Sequence, residues 1–147
     1  MATRNNNIFI GAAVIYKDSR GKRFYWLVGN GEKGWEIPKV TVRRGESSPR
    51  AVIRMSGEQA GMSARILEEV GRNNSLVVVN GKSVPQRIYY YLMVLKSAGE
   101  VLGFVKHQWL NFKRAYKTVT LKREKEILKE AERMIKAWER EGKKKIF

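Results

Sequence analysis

The chain has 147 residues, 43% hydrophobic, with thirty Lys+Arg against fourteen Asp+Glu and a formal net charge of +16. That length is one domain's worth, so residues 1–147 are read as a single domain that buries its own core. No cysteine is present and His107 is the lone histidine, which excludes disulfides, cysteine-ligated zinc and thiol catalysis and argues against a histidine-rich metal site or a Ser-His-Asp triad. No apolar run approaches a membrane span, and the polar start from Met1 to Asn7 lacks a signal-peptide core, so a soluble, cytoplasmic protein is expected. A charge of this size repels itself in the compact state and attracts polyanions, nucleic acid above all. Residues 106–147 carry fourteen bases and six acids, half of the excess. Six glutamates, Glu124 to Glu141, interrupt the basic face of the last helix, which disfavours binding to an anionic membrane. Thirteen Glu against one Asp mildly suggests a heat-adapted source.

In chain order, the branched apolar run Ile8–Tyr16 predicts a strand, Asp18-Ser19-Arg20-Gly21 a turn, and Phe24–Val28 a second strand. Asn30-Gly31 and Lys33-Gly34 mark a loop before a short extended piece, Trp35–Pro38. Ser48 followed by Pro49 predicts a helix start, running to about Ala60 with Gly61 as its stop. Strands follow at Ser63–Val70 and Leu76–Val79, then an Asn80-Gly81 hairpin turn and a long strand Gln86–Lys96. Gln108–Phe112 reads as a last short strand. Thr120 is expected to cap a final helix with an apolar stripe of Leu121, Leu128, Ala131, Met134, Ile135 and Trp138, ended by Gly142 and followed by a basic tail, 143–147. Strands, helix, strands, helix implies a mixed sheet with helices on its two faces.

The informative stretch is Trp35 to Met62. It resembles the Nudix family, whose signature is G-x5-E-x7-R-E-U-x-E-E-x-G-U with U a bulky apolar residue. The spacing aligns without a gap: Glu46 takes the first glutamate position, Arg54 the arginine, Glu58 the first of the paired glutamates, Gly61 the late glycine and Met62 the closing apolar residue. The lead-in Trp35-Glu36-Ile37-Pro38-Lys39 and the tail from Trp109 onward are similar to the dinucleoside-polyphosphate branch, so the resemblance spans roughly residues 8–142. It implies an α/β/α sandwich with a long C-terminal helix, and a nucleotide cleft that Trp35 and Lys39 could line.

The departures bear on chemistry. Val40 stands at the opening glycine, Met55 at the glutamate after the arginine, Ser56 at the apolar position and Gln59 at the second paired glutamate. Helical spacing puts Met55, Glu58 and Gln59 on one face. In the family that face carries carboxylates that hold Mg²⁺ or Mn²⁺ against a diphosphate. Hard divalent cations need charged oxygen ligands, which a thioether and an amide do not supply. The expectation is therefore no catalytic residue and no cofactor. Glu46 and Arg54 would persist as a structural ion pair, Glu58 as a partner for a nearby arginine, and Met55 as core packing.

Two functions compete. The favoured one is a non-catalytic Nudix-like protein that binds RNA or a ribonucleoprotein, such as a ribosome, through Arg43, Arg44, Arg50, Lys113, Arg114, Lys117, Lys143, Lys144 and Lys145. The other is a hydrolase of dinucleoside polyphosphates or RNA 5′ ends, with Mg²⁺ or Mn²⁺ held by Glu58, Glu46 and glutamates from elsewhere, such as Glu68, Glu69 or Glu100. Trp35 and the run Tyr89-Tyr90-Tyr91 could stack bases, although strand aromatics more often pack a core. Alternation places Tyr89 and Tyr91 opposite Tyr90, so one set at most can face a cleft. His107 is expected at the surface or a strand edge. Oligomeric state is not legible.

Overall fold

The computed structural model describes residues 7–31 and 34–142. The polar start at residues 1–6, the residue pair 32–33 and the tail 143–147 lie outside the described residues.

Seven strands form one mixed sheet. They are β1 (Ile8–Ser19), β2 (Lys22–Asn30), β3 (Gly34–Glu36), β4 (Lys39–Thr41), β5 (Met62–Val79), β6 (Lys82–Ala98) and β7 (His107–Asn111). The main order is β3-β2-β1-β6-β5, with β4 paired to β1 and β7 to β2. β1 runs parallel to β6, and the other pairings are antiparallel. Three helices complete the fold: α1 (Ser48–Glu58), α2 (Phe112–Thr118) and α3 (Lys122–Arg140).

Alternation along the strands sorts side chains to two cores. On one face, Val14, Tyr25, Leu27, Tyr90 and Leu92 pack with Ala115, Ile127, Leu128, Ala131 and Ile135 of α2 and α3. On the other, Ala13, Ile15, Trp26 and Met93 pack with Val52 and Met55 of α1. The expected sandwich is thus formed, with α1 alone on one side and α2 and α3 on the other. Gly11 allows the close approach of α1, since a Cβ there would lie 2.8 Å from Val52 Cγ1. No helix of the described residues is long and apolar enough to cross a membrane.

Several elements differ from expectation. The two strands expected at Ser63–Val70 and Leu76–Val79 are one, β5, because its ladder to β6 continues in unbroken register through the polar stretch from Gly71 to Ser75, the register shifts falling earlier, near Ser63, Ile66 and Glu69. β4 and α2 were hidden in the sequence. β4 has three residues, too few for alternation to show, and α2 begins at Phe112, expected to be the end of a strand. The cap of α1 is Ser47 rather than Ser48: its side chain accepts from the N–H of Arg50. Thr120 does not cap α3. Its hydroxyl accepts from the N–H of Trp35 at 3.0 Å, its own N–H donates to Trp35 O, and the N-cap position falls to Leu121, which is exposed and outside the apolar stripe. Trp35 thereby tethers β3 to the α2–α3 junction.

Candidate functional site

The chain from β4 to α1 forms a loop whose shape is held by one carboxylate. Glu46 accepts from Arg54 Nε at 2.8 Å, from Arg54 Nη2 at 2.9 Å and from the Arg43 N–H at 2.9 Å. The Arg54 guanidinium, followed by the Arg43 N–H, holds the Glu46 carboxyl down at about 2. Arg54 also reaches Thr41 O, so the pair ties β4, the loop and the middle of α1 together. The helix stops at Gly61, whose φ of +66° is left-handed and where a Cβ would lie 2.1 Å from Glu100 O. Only glycine fits there.

Two depressions flank this loop. A groove of about 680 Å³ is lined by Arg43, Arg44, Glu46, Arg50, Ile53, Arg54 and Glu58. A cleft of about 460 Å³ lies on the sheet side, where Phe9, Tyr89 and Tyr91 meet Arg43, Ser48 and Arg72. The Phe9 and Tyr89 rings are near-parallel, with centroids 6.4 Å apart, and the Arg72 guanidinium sits 4.7 Å from the Tyr89 ring centroid. Glu69 pairs with Arg72 and raises its pKa. Tyr91 is pinned to the start of α1 by a 2.6 Å hydrogen bond with Ser48, and burial pushes its phenol up. Tyr90 points to the opposite face, buried against α3. Aromatic surface and guanidinium groups thus converge at one end of the sheet.

The residues singled out in the sequence are brought together only in part. Arg43, Arg44 and Arg50 gather at the groove. Lys113, Arg114 and Lys117 are exposed on α2, which packs on the opposite face of the sheet, so the two basic groups do not make one surface. Lys143, Lys144 and Lys145 lie outside the described residues. Trp35 and Lys39 line neither depression. Trp35 packs against the α3-side core, and Lys39 Nζ turns inward to Glu36 at 2.6 Å and to Glu124 at 2.5 Å. His107 is exposed at the start of β7, its ring 5.7 Å from that of Trp26. Sequence reading missed Phe9, Ser48 and Arg72. The parallel β1–β6 pairing that sets Phe9 beside Tyr89 left no local signal.

The shared face expected for Met55, Glu58 and Gln59 is divided. Met55 is fully buried in the α1-side core. Glu58 is exposed at the groove, and Gln59, past the end of α1, lies under the loop at Gly103, where a Cβ would stand 2.6 Å from Gln59 Cβ. Met55 lies on the face of α1 that packs on the sheet and fills core volume, as expected, while the end of the helix leaves Gln59 to the neighbouring loop. A divalent cation does not fit these residues. Glu46 is already engaged by three donors, Gln59 is neutral, and among the described residues no three His, Cys, Asp or Glu come together to hold a metal. Glu69 is committed to Arg72.

No protein-family model matches the chain. Over 59 residues it is 30% identical to a Mycobacterium tuberculosis protein named as the mutator protein MutT4, covering 40% of this chain and 24% of that one, so the match spans about a quarter of that relative's length. Among solved structures, the Caenorhabditis elegans Ap4A hydrolase in a binary complex superposes with a TM-score of 0.73 and 21% identity, covering 88% of this chain and 98% of that one. The NUDIX domain of Shewanella oneidensis NrtR, complexed with ADP ribose, superposes with a TM-score of 0.66 and 12% identity, covering 88% of each chain. With its helix–sheet–helix layers, its Glu46–Arg54 loop clasp and its left-handed Gly61 stop, the chain folds as a Nudix-like domain.

Proposed function

We propose that this domain binds phosphorylated nucleotides, free or at the end of an RNA, without the metal-assisted hydrolysis of related folds. One observation carries the reading: the groove beside α1 gathers Arg43, Arg44 and Arg50 around Glu58 and a Glu46 that Arg54 already holds, while Met55 and Gln59 stand at two of the carboxylate positions. Guanidinium groups neutralise phosphate directly and in bidentate geometry, with no metal as intermediary. The Phe9–Tyr89 surface next door suits the flat face of a base, with Arg72 at its edge. Likeness in fold to an Ap4A hydrolase and to a domain complexed with ADP ribose supports a nucleotide as the ligand. The net charge of +16 supports RNA as the larger form of the ligand.

The second reading is a metal-dependent hydrolase of dinucleoside polyphosphates or RNA 5′ ends. The fold likeness to the Ap4A hydrolase and the retained Glu46, Arg54, Glu58 and Gly61 favour it. Calorimetry with diadenosine tetraphosphate and with ADP-ribose in the presence of a chelator separates the two. Binding that persists without divalent cation, and is weakened at least ~10-fold by Arg43→Ala plus Arg50→Ala, supports the first. Turnover of diadenosine tetraphosphate that requires Mg²⁺ or Mn²⁺ and is abolished by Glu58→Gln establishes the second.

A further inference from the structure

The β5–β6 hairpin is longer than the sheet it belongs to. β1 begins its pairing at Ile8, opposite Gln86, so beyond that point residues 82–85 and 76–79 pair only with each other among the described residues. The turn is Asn80-Gly81, with φ of +52° and +79°, and the strands project as a two-stranded ribbon.

The two edges of this ribbon are unlike. In a two-residue hairpin the residues flanking the turn exchange hydrogen bonds, and alternate pairs do so after that. Val79↔Lys82 and Val77↔Val84 therefore bond across the ribbon, while Val78, Leu76 and Asn74 point their N–H and C=O groups outward. The same alternation puts the Arg72 carbonyl outward, and Arg123 of α3 does donate to it, at 2.7 and 3.1 Å. Arg123 thus closes the β5 edge at Arg72 and leaves it open from Asn74 to Val78. On the β6 edge, Pro85 lacks the N–H that a third strand would need.

Natural edges are blunted by charge or proline. The open one has neither: residues 73–79, Asn-Asn-Ser-Leu-Val-Val-Val, are uncharged, and Leu76 and Val78 are 67% and 74% exposed on one face of the ribbon. No Asp or Glu occurs between Glu69 and Glu100, whereas Arg72, Lys82, Arg87 and Lys96 do. A row of alternating backbone donors and acceptors is matched by another polypeptide backbone. The surrounding charge selects an acidic one, and a second copy of a chain at +16 is repelled.

We propose that the open edge of β5 at Asn74, Leu76 and Val78 takes up an extended acidic segment of a partner protein as an added strand. Its alternate apolar side chains lie beside Leu76 and Val78, and its carboxylates reach Arg87, which lies opposite Asn74. This surface is independent of the nucleotide cleft.

The test selects a phage-displayed library of random ten-residue peptides on the full chain, with counter-selection on Val78→Pro. The Val78 N–H faces outward, so that proline removes no internal hydrogen bond; Leu76→Lys, at an exposed side chain, decides should Val78→Pro fail to fold. The expected result is enrichment of peptides alternating apolar and acidic residues. The leading peptide, synthesised and labelled, loses at least ~10-fold in affinity with either variant and slows amide exchange at Leu76 and Val78. Peptides that do not distinguish the variants overturn the proposal. So does concentration-dependent dimerisation lost in Val78→Pro, which hands the edge to a second copy, or an equal loss of affinity for an RNA oligonucleotide, which hands the ribbon to nucleic acid.

Discussion

The Lys39 ammonium lies 2.5 Å from a carboxylate oxygen of Glu124, and Glu124 is fully buried beneath it. The other Glu124 oxygen accepts from the Ile37 N–H at 2.9 Å, and the Tyr90 hydroxyl donates to the first at 2.8 Å. One side chain of α3 therefore fixes the segment between β3 and β4 that leads, through β4, into the loop before α1. Removing one member of a buried charge pair leaves the other unmatched, which typically costs 3–5 kcal/mol. Glu124→Ala is expected to destabilise the fold by about 3 kcal/mol or more. Glu36→Gln, at the half-exposed second partner of Lys39, should cost about 1 kcal/mol or less. Urea denaturation measures both, and equal effects would show that Glu124 is not the anchor.

The Glu46 clasp predicts an acid-side dependence. Its carboxyl is held at about 2 in the folded chain against an ordinary value of 4.5, by Arg54 first and by the Arg43 N–H second. A depressed carboxylate contributes stability that is fully present above about 4.5 and is lost as pH falls toward about 2. The stability difference between wild type and Glu46→Gln should thus be constant above about 4.5 and narrow steadily below it. A carbon-detected NMR titration of the Glu46 carboxyl checks the midpoint directly. A midpoint in the ordinary range would mean that Arg54 does not hold it.

Met55 and Gln59 should respond differently to the restoration of carboxylates. Met55 has no exposure, so Met55→Glu buries an unmatched charge and is expected to cost on the order of 3–5 kcal/mol. Gln59→Glu, past the end of α1, meets the unfavourable end of the helix dipole at about 0.3–1 kcal/mol. Neither change is expected to raise Mn²⁺ affinity in calorimetry. A stable double variant with a new Mn²⁺ site would show that the two side chains converge after all.

Binding of RNA should divide by face. If about six phosphates are neutralised, log affinity falls with log salt at a slope of roughly −4 to −5, and Arg43→Ala plus Arg44→Ala flattens it by about 1.5–2. Because α2 lies across the sheet from the groove, the triple change of Lys113, Arg114 and Lys117 to Ala should leave affinity for diadenosine tetraphosphate unaltered. A parallel loss of nucleotide affinity in the α2 variant would place the ligand elsewhere.

The close approach of the Glu100 backbone makes Gly61 exacting. Gly61→Ala forces a left-handed alanine whose Cβ meets the Glu100 carbonyl, and a loss of at least about 2 kcal/mol is expected. Gly57→Ala, inside α1 with open space at its Cβ, should instead be neutral or stabilising by up to about 1 kcal/mol. Thermal unfolding of the pair is the measurement.

Much of the fold was legible in the residues, because the governing forces are local. Branched runs marked β1, β2 and β6, Asn80-Gly81 marked the hairpin, and the 3.6-residue stripe marked α3. The spacing of Glu46, Arg54 and Gly61 marked the family signature, and the alternation of Tyr89, Tyr90 and Tyr91 sorted them to opposite faces. What the sequence withheld depends on groups distant along the chain. Glu124 reads as a solvated acid of a mixed helix face until Lys39, Ile37 and Tyr90 are packed over it. Gln59 reads as a neighbour of Glu58 until the end of α1 leaves it under the loop at Gly103, and Phe9 has no role until the parallel β1–β6 ladder sets it beside Tyr89. Helical spacing fixes which residues share a face. Only the packing of that face against the rest of the molecule decides whether it meets ligand, solvent or core.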